Sequence, residues 1–242
     1  MSRPQVRSLT LVRHAESAGN VANDAALTAG LPELDIATRD MDVPLSALGE
    51  EQARALGSWW GSLTTEPGVV MSSPYRRAID TANLAMAAAD RADRLVLDER
   101  LREREFGILD RLTKTGIEAR HPEQAAARAH LGKFFHRPPG GESWVDVAAR
   151  VRTVLGDLRL EHPDEDVVIV THQAVILLFR YVVEGLNEAT LLEIDRDIQV
   201  ANTAVTSYRT DGSGLELVVF NDSSHLTPEA TTAESDRSVA PR

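Results

Sequence analysis

Four short apolar runs, each closed by polar residues, constrain this chain more than anything else in it. Leu9-Thr10-Leu11-Val12, Val69-Val70-Met71, Leu95-Val96-Leu97 and Val167-Val168-Ile169-Val170 are too short to be helices. Apolar runs of this length mark strands buried on both faces, as in a parallel sheet. Ala204–Tyr208 and Leu215–Phe220 add two late strand candidates. Between the runs the apolar spacing lengthens to three and four residues. Ser46 is a candidate N-cap for a helix bearing Leu48, Gln52, Leu56, Trp59 and Leu63. A second helix is expected from Pro74 through Ile79, Ala82 and Met86, and a third carries Trp144, Val147, Val151, Leu155 and Leu158. Strands alternating with such helices predict an α/β fold, a three-layer αβα sandwich around a mostly parallel sheet.

Two stretches interrupt the alternation. Residues 21–44 are polar and turn-rich, and residues 108–141 form a longer excursion with one expected helix near Ile117–Leu131. Excursions of this length are commonly lids or specificity loops, so 108–141 is expected to be a helical cap insertion. The last stretch, 227–242, is rich in Thr, Ser, Ala, Glu and Pro and is expected to be a disordered tail, leaving 1–226 as one domain. A domain of that size needs no covalent staple, and there is no cysteine to supply one. The same absence removes thiol nucleophiles and thiolate metal sites. A net charge of −11 argues against a nucleic-acid partner. No apolar run approaches about 20 residues and the start lacks a signal-peptide core, so no membrane partner is expected and the chain reads as cytoplasmic. A homodimer stays open.

Ionisable residues gather where the pattern ends its strands. Arg13-His14 follows the first run, Arg76-Arg77 opens the helix after the second, Glu103 lies beyond the third, and His172 follows the fourth. Open parallel sheets bind ligands outside the carboxyl ends of their strands. Two imidazoles, two or three guanidinium groups and one carboxyl meeting there would make an anion site with acid–base capacity. A zinc site from His14, His172 and Glu103 is the competing arrangement, but two adjacent arginines would repel the cation. Neither a metal nor a cofactor is expected.

Arg13-His14-Ala15-Glu16-Ser17-Ala18-Gly19-Asn20 resembles the Arg-His-Gly/Ala-Glu-x-x-x-Asn signature of the histidine phosphatase (phosphoglycerate mutase-like) superfamily. Ser72-Ser73-Pro74-Tyr75-Arg76-Arg77-Ala78-Ile79-Asp80-Thr81-Ala82 is similar to its Ser-x-x-x-Arg-Ala-x-x-Thr-Ala segment. Leu101-Arg102-Glu103-Arg104-Glu105-Phe106-Gly107 is similar to its Leu-x-Glu-x-x-x-Gly, and Val170-Thr171-His172 to its second histidine. Gly141-Glu142-Ser143 and Asn221–Leu226 resemble further landmarks, so the resemblance spans roughly residues 7–226.

The resemblance implies a metal-independent, histidine acid phosphatase-like hydrolase whose substrate is a small phosphorylated metabolite, a sugar phosphate or phosphoglycerate-like ester. His14 would be the nucleophile, since neutral imidazole attacks a dianionic phosphomonoester without adding negative charge. Arg13, Arg77 and His172 would form a cationic cage around the transferring phosphoryl group, with Asn20 as a neutral donor. Glu103, its pKa raised beside the phosphate, would protonate the leaving oxygen and then activate water. Glu105 is a rival for Glu103 and Arg76 for Arg77, and the family spacing favours Glu103 and Arg77. His121, His130, His136 and His162 have exposure as their default, and His225 an ordering role.

His172-Gln173-Ala174-Val175 and the segment Lys133–Ser143 are similar to fructose-2,6-bisphosphatase domains, where the corresponding parts hold the sugar phosphate. That implies Gln173 and Arg137 as substrate-binding residues, with Phe134, Phe135, His136 and Arg137 rimming the substrate. Two cations of that pattern are missing, one replaced by Gly140 and one by Leu177. At about 1.5–3 kcal/mol per charged hydrogen bond, their loss weakens any second phosphate site. Hydrolysis is therefore expected over mutase-type transfer between phosphoglycerates. A non-catalytic phosphate- or partner-binding module on the same fold is the remaining alternative, although a pure binder needs neither nucleophile nor acid.

Overall fold

In the computed structural model, which describes residues 5–61, 67–91 and 94–233, the apolar runs pair into one six-stranded sheet. Its strands are β1 (Ser8–Arg13), β2 (Val69–Ser72), β3 (Leu95–Leu97), β4 (Asp166–Thr171), β5 (Val205–Thr210) and β6 (Leu215–Asp222), in the order β3-β2-β4-β1-β5-β6. The first four are mutually parallel, while β5 and β6 are antiparallel at one edge. The helices are α1 (Ala18–Ala29), α2 (Ala47–Gly61), α3 (Arg76–Ala88), α4 (Lys114–Arg120), α5 (Pro122–Phe135), α6 (Trp144–Glu161), α7 (Gln173–Val183) and α8 (Glu188–Asp197). Among the described residues, no helix is long and apolar enough to cross a membrane.

Side-chain alternation along the central strands divides the core in two. Leu9, Leu11, Val167 and Ile169 pack with Val147, Val151 and Leu155 of α6 and Val175 and Leu178 of α7. Their neighbours Val12, Val168 and Val170 pack with Leu56 and Trp60 of α2 and Ala78, Ala82 and Met86 of α3. Period two thus turns one run into two apolar faces, and each face takes its own helices. β1 and β4 are adjacent, yet α2, the first sheet-packed helix after β1, and α7, which follows β4, lie on opposite faces. A crevice follows at their carboxyl ends, the place where an open α/β sheet receives a ligand.

Several local expectations change. The stretch 21–44 opens with α1, closed at its start by a Ser17–Asn20 capping box and at its end by Gly30 in the left-handed conformation. Its Ala-rich face carries too little apolar periodicity to announce a helix. The single helix expected near 117–131 is two helices, because His121-Pro122 ends α4 and restarts the chain as α5. α3 begins at Arg76 rather than Pro74, with Tyr75 in extended conformation before it. Leu63 lies outside the described residues.

The tail expected to be disordered from residue 227 is packed as far as 233. Gln52 Nε2 donates to the Ala230 carbonyl at 2.8 Å and to Thr232 Oγ1 at 2.9 Å, and Asn202 N–H donates to the Thr232 carbonyl at 2.7 Å. The anchor is polar, which is why no apolar pattern betrayed it. Residues 234–242 lie outside the described residues.

Candidate active site

β1 delivers His14 to the crevice. Its backbone N–H donates to the Thr171 carbonyl at 2.8 Å, continuing the β1–β4 ladder by one residue. The ring's Nδ1 lies 2.7 Å from the Ala15 carbonyl, and since a carbonyl only accepts, Nδ1 carries the proton. Nε2 is left with its lone pair, which meets Arg77 Nε at 3.3 Å. Asn202 Nδ2 donates to the His14 carbonyl at 3.0 Å, and Ala15 N–H donates to Thr81 Oγ1 at 3.0 Å, so the turn after β1 is held on both sides.

Arg77, at the start of α3, is buried to 6% exposure in its side chain. Its Nη1 donates to the Asp40 carbonyl at 2.7 Å and to Asp40 Oδ1 at 3.0 Å, while Nη2 donates to Oδ2 at 3.2 Å. The guanidinium also lies 5.0 Å from the Tyr75 ring centroid. Arg13 is buried as well, with Nη1 donating to the Val200 carbonyl, and its charge acts on His172.

His172 follows β4 and is fully buried, its ring centroid 5.0 Å from that of His14. Its Nε2 is 2.8 Å from Ser73 Oγ, and that oxygen already accepts from the Tyr75 N–H. Ser73 Oγ keeps its proton to donate to Nε2, and in that tautomer the imidazole proton sits on Nδ1. Nδ1 has no hydrogen-bond partner among the described residues and faces Glu103 Oε2 at 4.0 Å. Burial, then the charges of Arg77 and His14, push the His172 pKa well below its ordinary value. The lowered pKa disfavours the imidazolium form that was expected as a third cation of the cage.

Glu103 retains 18% side-chain exposure, and Oε1 accepts the Arg104 N–H at 2.8 Å. Its pKa is raised, chiefly by desolvation. The segment holding it is clamped by Glu142. That carboxylate accepts from Arg102 at 2.7 Å, Arg150 at 3.1 Å and the Glu105 N–H at 3.1 Å, while Arg150 Nη2 donates to the Glu103 carbonyl at 3.3 Å. Gly107 is needed for the same closure. It has φ +55°, and a Cβ there would stand 2.1 Å from the Pro139 carbonyl.

His14, His172, Arg13, Arg77 and Glu103 thus come together at the strand ends. Asn20 lies in the first turn of α1, its Oδ1 accepting from the Ser17 N–H at 2.9 Å. Gln173 opens α7 beside His172, with Oε1 buried and unpartnered among the described residues. Of the rivals, Arg76 is exposed and pairs with Asp80, and Glu105 accepts from Tyr75 Oη at 2.5 Å.

The expected rim is not assembled as a unit. Arg137 is not brought into the cluster: it is 62% exposed and grips Asp146 with both Nε and Nη2. Phe134 is buried against Trp144 and Tyr181, and Phe135 is exposed. His136, whose default was exposure, is 2% exposed, with its pKa lowered chiefly by burial. His225 stacks near Trp59 and reaches Thr203 Oγ1 at 3.0 Å, an ordering role as expected. Ser73, Tyr75, Asn202 and Asp40 had no assigned role from sequence. Ser73 and Tyr75 at least lie within a quoted motif, whereas Asp40 carries no local signal at all.

The chain matches the model of the histidine phosphatase superfamily (branch 1) over residues 9–223. It is 33% identical over 181 residues to glucosyl-3-phosphoglycerate phosphatase of Mycobacterium tuberculosis, spanning 71% of this chain and 73% of that protein. It is 29% identical over 195 residues to a 2,3-bisphosphoglycerate-dependent phosphoglycerate mutase of Methylorubrum populi, spanning 78% of this chain and 84% of the mutase. The native structure of mycobacterial glucosyl-3-phosphoglycerate phosphatase superposes with a TM-score of 0.70 at 29% identity, covering 90% of this chain and 99% of the other.

Proposed function

The chain belongs to the histidine phosphatase superfamily, branch 1, and from that premise we propose that it is a metal-independent phosphomonoesterase in which His14 takes a phosphoryl group from small phosphorylated metabolites. One observation carries the reading. His14 Nδ1 gives its proton to the Ala15 carbonyl, so Nε2 presents a lone pair to a site walled by Arg77, His172 and Glu103. An imidazole held in this tautomer beside a guanidinium is oriented for attack on phosphorus.

The chemistry runs in two steps. Nε2 bonds to phosphorus as the ester P–O bond breaks, with Arg13, Arg77 and His172 Nδ1–H stabilising the equatorial oxygens. Glu103, whose raised pKa favours its acid form, gives its proton to the departing alkoxide. Water then gives a proton to the Glu103 carboxylate and attacks phosphorus, the P–N bond breaks, and inorganic phosphate leaves with His14 neutral again. Phosphorylated sugars and glycerates are the substrate class this reading adopts, from the activity for which the mycobacterial relative is named. Such metabolites are cytoplasmic, and so is the enzyme in this reading.

Hydrolysis is favoured over mutase chemistry because a mutase must hold a bisphosphate. The two positions at which cations were expected are Gly140 and Leu177, the latter fully buried in the core, and Arg137 is turned to Asp146. The deciding experiment incubates the protein with p-nitrophenyl phosphate, then with sugar phosphates and phosphoglycerates, in the presence of a chelator. Inorganic phosphate release with an acid-labile, alkali-stable phosphate trapped on His14 supports the proposal. Bisphosphoglycerate-dependent isomerisation without net phosphate release would support a mutase, and absence of both turnover and phosphoenzyme would leave a binding module.

A further inference from the structure

A guanidinium group offers anions two bidentate edges, an end edge of Nη1 and Nη2 and a side edge of Nε and Nη2. In Arg77 the two edges are allotted differently. Asp40 closes the end edge with Oδ1 at 3.0 Å and Oδ2 at 3.2 Å, and its own carbonyl adds a third bond to Nη1 at 2.7 Å. The side edge points to the proposed nucleophile, with Nε 3.3 Å from His14 Nε2. The guanidinium face lies against Tyr75 at 5.0 Å. Asp40 comes from a 3-10 turn, Asp40–Asp42, far in sequence from every strand-end motif.

We propose that Asp40 is a positioning residue for phosphoryl transfer: it occupies the end edge of Arg77 so that the side edge, the one beside His14, is held for the transferring phosphoryl group. The proposal rests on the reading of Arg77 as a phosphate ligand. A long arginine side chain without this hold would sample other rotamers and could offer the phosphate its end edge instead, displaced from the line of attack. A displacement on the order of 1 Å in such a group is enough to cost about a hundredfold in rate. The lock is also charge-neutralising, so Asp40 cannot be there to strengthen substrate attraction. It lowers the net positive charge of the cage in return for geometry. The remaining carbonyl bond to Nη1 does not need the Asp40 side chain, which limits the loss on truncating it.

The test is a double-mutant cycle on the full chain with p-nitrophenyl phosphate, using Asp40→Ala, Asp40→Asn, Arg77→Ala and Asp40→Ala/Arg77→Ala, with circular dichroism to confirm folding. Asp40→Ala should lower kcat about tenfold, less than a full misplacement because the carbonyl bond survives. Asp40→Asn should recover part of that loss, since its amide oxygen still accepts from Nη1. In the Arg77→Ala background the Asp40→Ala change should be within about twofold, because coupled residues are not additive. Three results overturn the proposal. The first is a rise in kcat/KM in Asp40→Ala, which would make Asp40 a competitor of the substrate. The second is an equal loss in both backgrounds, which would mean that it acts elsewhere. The third is no recovery by Asp40→Asn. If Arg77→Ala itself retains full activity, the phosphate-ligand reading of Arg77 fails first, and the two failures are told apart.

Discussion

The sequence assigns Arg77 to the phosphoryl cage and Arg137 to substrate binding, and each is gripped by an aspartate through the two nitrogens of one guanidinium edge. Arg77 is 6% exposed, stacked on Tyr75 and within reach of His14. Arg137 is 62% exposed, and its aspartate completes the Ser143 capping box at the start of α6. The same pairing chemistry therefore serves two ends. At the strand ends it fixes a buried charge in a low-dielectric crevice, where geometry is worth a great deal. In the cap insertion it ties down a helix start in water, where an ion pair is worth little. The difference lies in what surrounds the pair.

The most direct way to break this contrast is His14→Ala. If the strand-end cluster is the reaction centre, turnover should fall about 10⁴-fold or more, because loss of a covalent carrier leaves only binding and electrostatics. Steady-state hydrolysis of p-nitrophenyl phosphate measures it, with far-UV circular dichroism checking the fold. Retained activity would move the chemistry away from β1. Next in size is Glu103→Gln. Esters of aliphatic alcohols need a proton on the leaving oxygen, whereas p-nitrophenolate does not. The variant should thus lose about 10²- to 10⁴-fold on a sugar phosphate and far less on p-nitrophenyl phosphate. The alkaline limb of kcat/KM should also disappear in the variant. A raised pKa keeps Glu103 protonated to higher pH, and activity is lost as pH rises through it. Equal losses on both esters would reduce Glu103 to positioning and revive Glu105.

How much of this was legible in the sequence depends on what held each residue. His14, His172 and the start of α3 stand directly after buried strands, so reading the apolar runs already placed them at one end of a sheet. Glu103 was harder to place, because its orientation is settled by Glu142 and Arg150, thirty-nine and forty-seven residues further along the chain. Asp40 was invisible. Its bond to Arg77 crosses thirty-seven residues and starts from a turn with no periodicity. α1 was missed because its buried positions are Gly, Asn and Ala, which form no apolar stripe. Arg137 was assigned from the family resemblance alone, and in the structure it pairs with Asp146 of the Ser143-Trp144-Val145-Asp146 capping box.

The contrast can be sharpened through pH. His172 in the cluster and His136 in the cap are both buried with lowered pKa values, and His225 has the same sign. The unfolded imidazole takes up a proton near pH 6.5 while the folded one does not, so stability falls as pH drops below that point. Each such histidine contributes up to about 1.4 kcal/mol per pH unit until its folded pKa is reached. Urea melts between pH 7.5 and 5 should show this loss, and His172→Gln should reduce the slope more than His136→Gln. His172 is pushed well below its ordinary value by Arg77 and His14 in addition to burial, so it holds out over a wider pH range. Equal slopes would mean that the strand-end charges around His172 add no more to burial than Arg128 and Arg104 add at His136.

The smallest expected effect is Arg137→Ala, and it tests the cap side of the comparison alone. Arg137 touches Asp146 and is largely in water, so the pair is worth about 0.2–1 kcal/mol and is screened by salt. Asp146 does not depend on it, because Oδ2 still accepts from the Ser143 N–H and from Ser143 Oγ, both at 2.7 Å, and the α6 start stays capped. Stability should therefore shift by less than about 1 kcal/mol in a urea melt, and the shift should shrink further as salt is raised. Kinetics follow from the same geometry. With its guanidinium committed to Asp146 and none of its bonds reaching His14, Arg77, Glu103 or His172, Arg137→Ala should leave kcat and KM unchanged for p-nitrophenyl phosphate and for sugar phosphates alike. A KM that rises only for substrates bearing a second anion would show that Arg137 swings from Asp146 to the substrate. It would then return the cap to the role that its resemblance to bisphosphatase segments implied.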